Sequence, residues 1–227
     1  RKAQESEKMK QAFINSICHE IRTPLNSIVG FSDLIMNEDI DEEMRREFPA
    51  EIQKSTLLLT GLVNSMLEVA NLDVSEDKLP CGPTDIRNIC IQEMEKISPK
   101  PRIKYQLDIT EDTLFIPTNA QYLTMVIEHL LNNANKFTEE GFIALGYKVN
   151  LSKNQICISV TDSGCGIPKE KQEEVFNRFS KLDTFVPGNG LGLYLCRLIV
   201  KRLDGEIKID PEYTDGTRVV VNLPMNE

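Results

Sequence analysis

A chain of 227 residues with a formal net charge of −9, no tryptophan and 6% aromatic residues has material for one or two domains with buried cores. Its acidity and scarcity of stacking side chains exclude the usual footprint of a nucleic-acid binder and disfavour anionic membrane surfaces. No stretch reaches the roughly 18 uncharged apolar residues of a spanning helix, and RKAQESEKMK is not a secretory leader, so the expectation is a soluble chain.

Six cysteines, Cys18, Cys81, Cys90, Cys157, Cys165 and Cys196, form no C-x-x-C pair, and only two histidines accompany them. Most lie in apolar runs, which predicts buried free thiols in a reducing compartment.

The pattern divides near residue 80. Ile14, Ile21, Ile28 and Ile35 recur every seven residues, with Ile17 and Leu25 on the intermediate seam, predicting a helix over Met9–Ile35. A second run from Ile52 through Leu59, Leu62, Met66 and Val69 to Leu72 predicts another, with Pro49 in its first turn or at a kink. The acidic link MNEDIDEEM makes the two antiparallel neighbours. Two helices cannot bury both stripes alone, so a second copy is expected to complete a four-helix bundle.

VSEDKLPCGPTD reads as a hinge. After it, PRIKYQLDI, GFIALGYKV, NQICISVTD, GEIKID and TRVVVNLP read as strands. Helices are expected over Thr84–Ile97, Ala120–Lys136, Lys169–Phe179 and Gly190–Leu203. Strands and helices that do not strictly alternate predict an α+β sandwich, with helices on one face of a mixed sheet. The expected domains are therefore 1–80, all-helical, and 81–227, α+β.

Several clusters carry chemistry. In FINSICHEIRTPL, His19 lies about 140° around the helix from the Ile14 seam, towards solvent, with Glu20 beside it and Thr23 one turn on. A neutral imidazole is a nucleophile near pH 7 and an adjacent carboxylate can orient it and take its proton. Pro24 removes a backbone donor and permits a bend nearby. In HLLNNANKFT, Asn133 and Lys136 share a helical face and suit hydrated Mg²⁺ and phosphate. In TDSGCGIP, Asp162 is an acceptor next to Gly164 and Gly166, which allow close approach of a ligand ring. Phe176 and Phe179 read as anchors of a mobile segment, and Gly188, Gly190 and Gly192 open a helix whose free amides suit phosphate.

Together these residues resemble the sensor histidine kinases of two-component signalling over nearly the whole chain. FINSICHEIRTPL is similar to the phosphoacceptor box and HLLNNANKFT to the asparagine box. DSGCGIP, VFNRFSKLD and GNGLGL are similar to the first glycine, phenylalanine and second glycine boxes. The resemblance implies a dimerisation and histidine-phosphotransfer domain followed by a GHKL-type ATP-binding domain. It implies autophosphorylation of His19 with ATP and Mg²⁺, and transfer to an aspartate of a response-regulator receiver domain. Glu20 would orient His19, and Thr23 would position a water for regulator dephosphorylation. Asn133 would hold Mg²⁺, Lys136 and Lys181 would contact phosphate, and Asp162 would accept from the adenine amino group. Gly164 and Gly166 would make room for the base, with Thr217 bonding a water beside Asp162. Gly188, Gly190 and Gly192 would shape a compact lid. It also implies a homodimer, an upstream sensor or transmembrane region, and a cytoplasmic portion of an inner-membrane protein.

His129 departs from the pattern, standing where the asparagine box carries its first Asn. The resemblance implies that this position faces the nucleotide, which opens the alternative of a dimeric scaffold or phosphatase-dominant module with impaired ATP use. Cys18 replaces the usual Ser before the phosphoacceptor. Divided at residue 80, the net charge is −6 and −3, so the cations that would meet a polyphosphate are local.

Overall fold

The structure is a computed structural model that describes residues 2–36, 41–74, 79–110, 112–178, 180 and 190–225. Two long helices, α1 (Lys2–Ile35) and α2 (Glu42–Val74), pack along each other. Phe31 and Phe48 meet with ring centroids 5.4 Å apart. Pro24 and Pro49 both lie inside their helices rather than at an end. Phe48, Leu62, Val69 and Leu72 are buried, whereas Leu25, Val29, Val63 and Leu67 remain exposed in the single chain. The paired helices thus leave apolar side chains uncovered, but of the expected heptad residues only Ile14 and Leu25 are exposed; Leu62, Val69 and Leu72 are already buried within the single chain.

The second unit is a five-stranded sheet of order β2-β4-β5-β7-β6, with strands Ile103–Asp108, Gly141–Asn150, Gln155–Asp162, Thr217–Pro224 and Glu206–Ile209 in that order. β2 and β4 run parallel; every other pairing is antiparallel. Helices α3 (Ile86–Lys96), α4 (Ala120–Phe137) and α5 (Gly192–Arg202) supply Ile86, Leu123, Ile127, Leu131, Leu195 and Ile199 to a core shared with Ile143, Leu145, Ile156, Ile158 and Val221. Side chains of period 2 from the strands meet side chains of period 3.6 from the helices, which is the expected α+β layering. Asp85 caps α3 by accepting from Asn88 N–H at 3.0 Å, and Asn119 caps α4 by accepting from Tyr122 N–H at 3.1 Å.

Three expectations are corrected. The helix expected over Lys169–Phe179 is instead two 3₁₀ turns, Lys169–Lys171 and Glu174–Phe176. KEKQEEVF offers only Val175 and Phe176 to the core, too few to hold a long helix by packing. The hinge is shorter than VSEDKLPCGPTD: Gly82–Asp85 is β1, paired antiparallel with β3 (Phe115–Thr118) in a separate two-stranded sheet. Asn119 Nδ2 also donates to Pro80 O at 2.8 Å and Leu79 packs on the core, so the α/β unit already holds the chain there. Residues 75–78 lie outside the described residues. Finally, only Cys90 and Cys196 are fully buried; Cys157 is half-buried and Cys18, Cys81 and Cys165 are exposed, all as free thiols. Burial pushes the Cys90 thiol up to about 12.

Candidate functional site

The chemistry-bearing residues fall into two places. On α1, His19 is exposed, Glu20 is half-buried and Thr23 is exposed. Thr23 Oγ1 donates to His19 O at 3.3 Å, one turn back. Pro24, having no N–H, cannot donate to the carbonyl of Glu20, so the helix ladder is interrupted immediately beside His19.

The second place lies where the end of β5, the end of α4, the loop 163–168 and the start of α5 converge. Asp162 is buried, and its Oδ1 accepts from Gly164 N–H at 2.9 Å and from Thr217 N–H at 3.3 Å. Both bonds fall on the same oxygen. Burial raises the Asp162 carboxyl above its ordinary 3.8, against the pull of those two amides. The position of Gly164 has a sharper cause than room for a ligand: a Cβ there would collide with the Phe137 carbonyl at the end of α4. Gly166 follows at φ +72°, in the left-handed region. Thr217 meets Asp162 through its backbone as a β5–β7 register pair.

On α4, His129 and Asn133 are half-buried one turn apart, and Lys136 is exposed with its ammonium 4.7 Å from the Phe137 ring centroid. The His129 ring lies against the start of α5: its Nδ1 is 3.6 Å from where a Cβ on Gly192 would stand. Burial lowers this imidazole below its ordinary 6.5 while the Glu128 carboxylate opposes the shift, so the neutral form prevails at physiological pH. Gly190, at φ +62°, sets the turn into α5. Phe176 is buried, with Arg197 5.9 Å from its centroid. Phe179, Lys181 and Gly188, and with them the compact lid, lie outside the described residues.

A support that the sequence reading missed holds the end of α4. Lys100 Nζ donates to the carbonyls of Asn135 and, at 2.9 Å, of Thr138. Tyr105 Oη donates to Asn135 Oδ1 at 2.8 Å and accepts from Lys100 N–H at 3.0 Å, while Asn135 Nδ2 reaches Ser98 O at 3.3 Å. A cation among the last carbonyls of a helix is placed favourably. The only sequence signal is a lysine before a strand, since the contacts span 35 and 38 residues.

The two places stay apart. His19 faces solvent on α1, and the helical pair meets the α/β unit where the end of α2 lies against α5, with Val69 and Leu72 in the common core.

Two family models match. The His Kinase A (phospho-acceptor) domain covers residues 9–74, and the histidine kinase-, DNA gyrase B- and HSP90-like ATPase covers 118–227. Among curated relatives, hybrid signal transduction histidine kinase A of Dictyostelium discoideum is 29% identical over 98% of this chain, which spans 11% of that protein. Sensor protein EvgS of Escherichia coli K12 is 28% identical over 95% of this chain and 19% of its own length. Across eight curated relatives, these two included, the chain spans between 10% and 36% of the relative's length. Among solved structures, full-length ShkA in complex with AMPPNP has a TM-score of 0.68 and 26% identity, covering 94% of this chain and 45% of that one. ThkA in complex with response regulator protein TrrA has a TM-score of 0.73 over 99% of this chain and 64% of that one; at 21% identity it shows the shared fold. No helix among the described residues is long and apolar enough to cross a membrane. With a phosphoacceptor helical pair followed by a GHKL-type ATP-binding unit, the chain belongs to the sensor histidine kinases.

Proposed function

We propose that this chain phosphorylates itself on His19 with ATP and passes the phosphoryl group to an aspartate of a response-regulator receiver domain. Residues 1–80 are the dimerisation and phosphoacceptor domain and residues 81–227 the nucleotide domain. The observation that carries the reading is Asp162: a buried carboxylate whose amide bonds both fall on Oδ1, leaving Oδ2 to accept the adenine amino group. Gly164, Gly166 and Thr217 hold that carboxylate and its loop in place, and the amides opening α5 at Gly190 and Gly192 face the phosphates. Lys136 meets phosphate oxygens, as Lys181 and Gly188 are proposed to do from the lid.

Asn133 offers a neutral amide oxygen, a donor that fits Mg²⁺. When bound, that ion neutralises phosphate charge during transfer. Nε2 of His19 attacks the γ-phosphorus in line, the bond to the ADP oxygen breaks, and the Nδ1 proton passes to Glu20. The missing carbonyl bond at Pro24 lets α1 bend as His19 is presented. Thr23 orients a water for regulator dephosphorylation. Because His19 and Asp162 stand on separate units, the nucleotide domain must swing for transfer, and that step suits control by a signal. The homodimer, the upstream sensor region and the inner-membrane anchor implied by the resemblance belong to the same proposal.

Incubation with γ-labelled ATP and Mg²⁺ tests the reading. Acid-labile label is expected on the wild type and none on His19→Gln; label retained by that variant overturns the assignment.

A further inference from the structure

The donor set on α4 is unusual for Mg²⁺. That ion takes oxygen ligands in near-ideal octahedral geometry, whereas imidazole nitrogen suits borderline transition ions. Here the residue one turn before Asn133 is a histidine, not an amide. Residues at i and i+4 share a helical face with Cβ atoms about 5–6 Å apart, the spacing by which two side chains of one helix hold a single zinc ion. His129 is also turned towards the site: its Nδ1 stands 3.6 Å from the Cβ position of Gly192, at the first turn of α5, and no hydrogen-bond partner holds either ring nitrogen among the described residues.

We propose that His129 and Asn133 form a mixed nitrogen–oxygen pair that makes this chain prefer a divalent transition-metal ion over Mg²⁺ as the partner of its bound nucleoside triphosphate. This rests on the reading of Asn133 as the ion-holding residue. The preference follows the order of transition-ion affinity for nitrogen, so it is larger for Co²⁺ than for Mn²⁺. A purely steric role for the ring shifts binding with all three ions by the same factor.

The test titrates the whole chain with AMPPNP in Mg²⁺, Mn²⁺ or Co²⁺ and compares wild type with His129→Asn. The ratio of Co²⁺ to Mg²⁺ affinity is expected to fall about tenfold in the variant, with a smaller fall for Mn²⁺. Pulsed electron paramagnetic resonance of the Mn²⁺–AMPPNP complex should show coupling to a directly bound nitrogen that changes on ¹⁵N-histidine labelling and vanishes in His129→Asn. The chain has two histidines, and persistence of the coupling in His19→Gln assigns it to His129. Equal ratios in the two proteins, or a bound Mn²⁺ complex with no nitrogen coupling, overturns the inference. If Asn133→Ala leaves metal–nucleotide affinity unchanged for every ion, the underlying reading of Asn133 falls instead.

Discussion

The helical pair and the α/β unit solve burial in opposite ways. The α/β unit buries its own layers closely: Ile143, Leu145, Ile158, Leu195 and Ile199 are each at most 1% exposed, and two layers of different periodicity interlock around them, with Val69 and Leu72 of α2 joining at the edge. The helical pair leaves Val29, Leu57 and Leu67 more than half exposed, surface that the proposed homodimer would cover. The contrast divides labour. The proposed nucleotide site rests on a closely packed scaffold, whereas His19 sits on an element with much apolar surface uncovered.

The strongest way to break this contrast is to hollow the closed core. Ile158→Ala should cost about 2–5 kcal/mol, lowering the melting transition of the α/β unit while dimerisation measured by light scattering persists. Loss of both together would show that the units are not independent. Conversely, Val63→Glu with Leu67→Glu should weaken self-association at least tenfold in sedimentation, since each buried side chain contributes about 1.5–3 kcal/mol. AMPPNP affinity should stay within about twofold, because the nucleotide site lies wholly in the other unit.

Smaller effects sharpen the picture within the α/β unit. Lys100→Met leaves the last carbonyls of α4 without their cation and should cost about 1–2 kcal/mol of stability. AMPPNP affinity should fall a few-fold with it, and Lys100→Arg should restore much of both; unchanged affinity would make the cap purely structural. The smallest effect concerns pH. The folded chain holds the Asp162 proton more tightly than the unfolded chain, so acidification towards 3.8 from above favours folding at this site. The same protonation would remove the proposed adenine acceptor, so AMPPNP affinity should fall over that range. Asp162→Asn should abolish the acid-dependent part of both trends.

Legibility followed the range of the interactions. The heptad of α1, the amphipathic run of α4 and the alternation in β5 and β7 are local patterns, and each appeared where expected. β1 was hidden because Pro83 lies in the segment read as a hinge, and β3 carries Pro117 opposite it; the pairing survives as an isolated two-stranded ribbon. The turns at Lys169–Phe176 misled because their charge pattern suits an exposed helix that the core does not support.

The site divides in the same way. The sequence by itself determined which residue types stand at which spacing: His19 with Glu20 and Thr23, His129 with Asn133 and Lys136, Asp162 with its glycines. Those follow from helical and strand periodicity and from motif order, which need no distant partner. Only the tertiary structure decided that Asp162 is held through one oxygen by Gly164 and Thr217, and that Lys100 and Tyr105 grip the end of α4. It alone set the imidazole of His129 against Gly192. Each of these joins residues that are far apart in the chain or turned by a backbone angle, and burial, not composition, shifts the titration of Asp162 upward and of His129 downward.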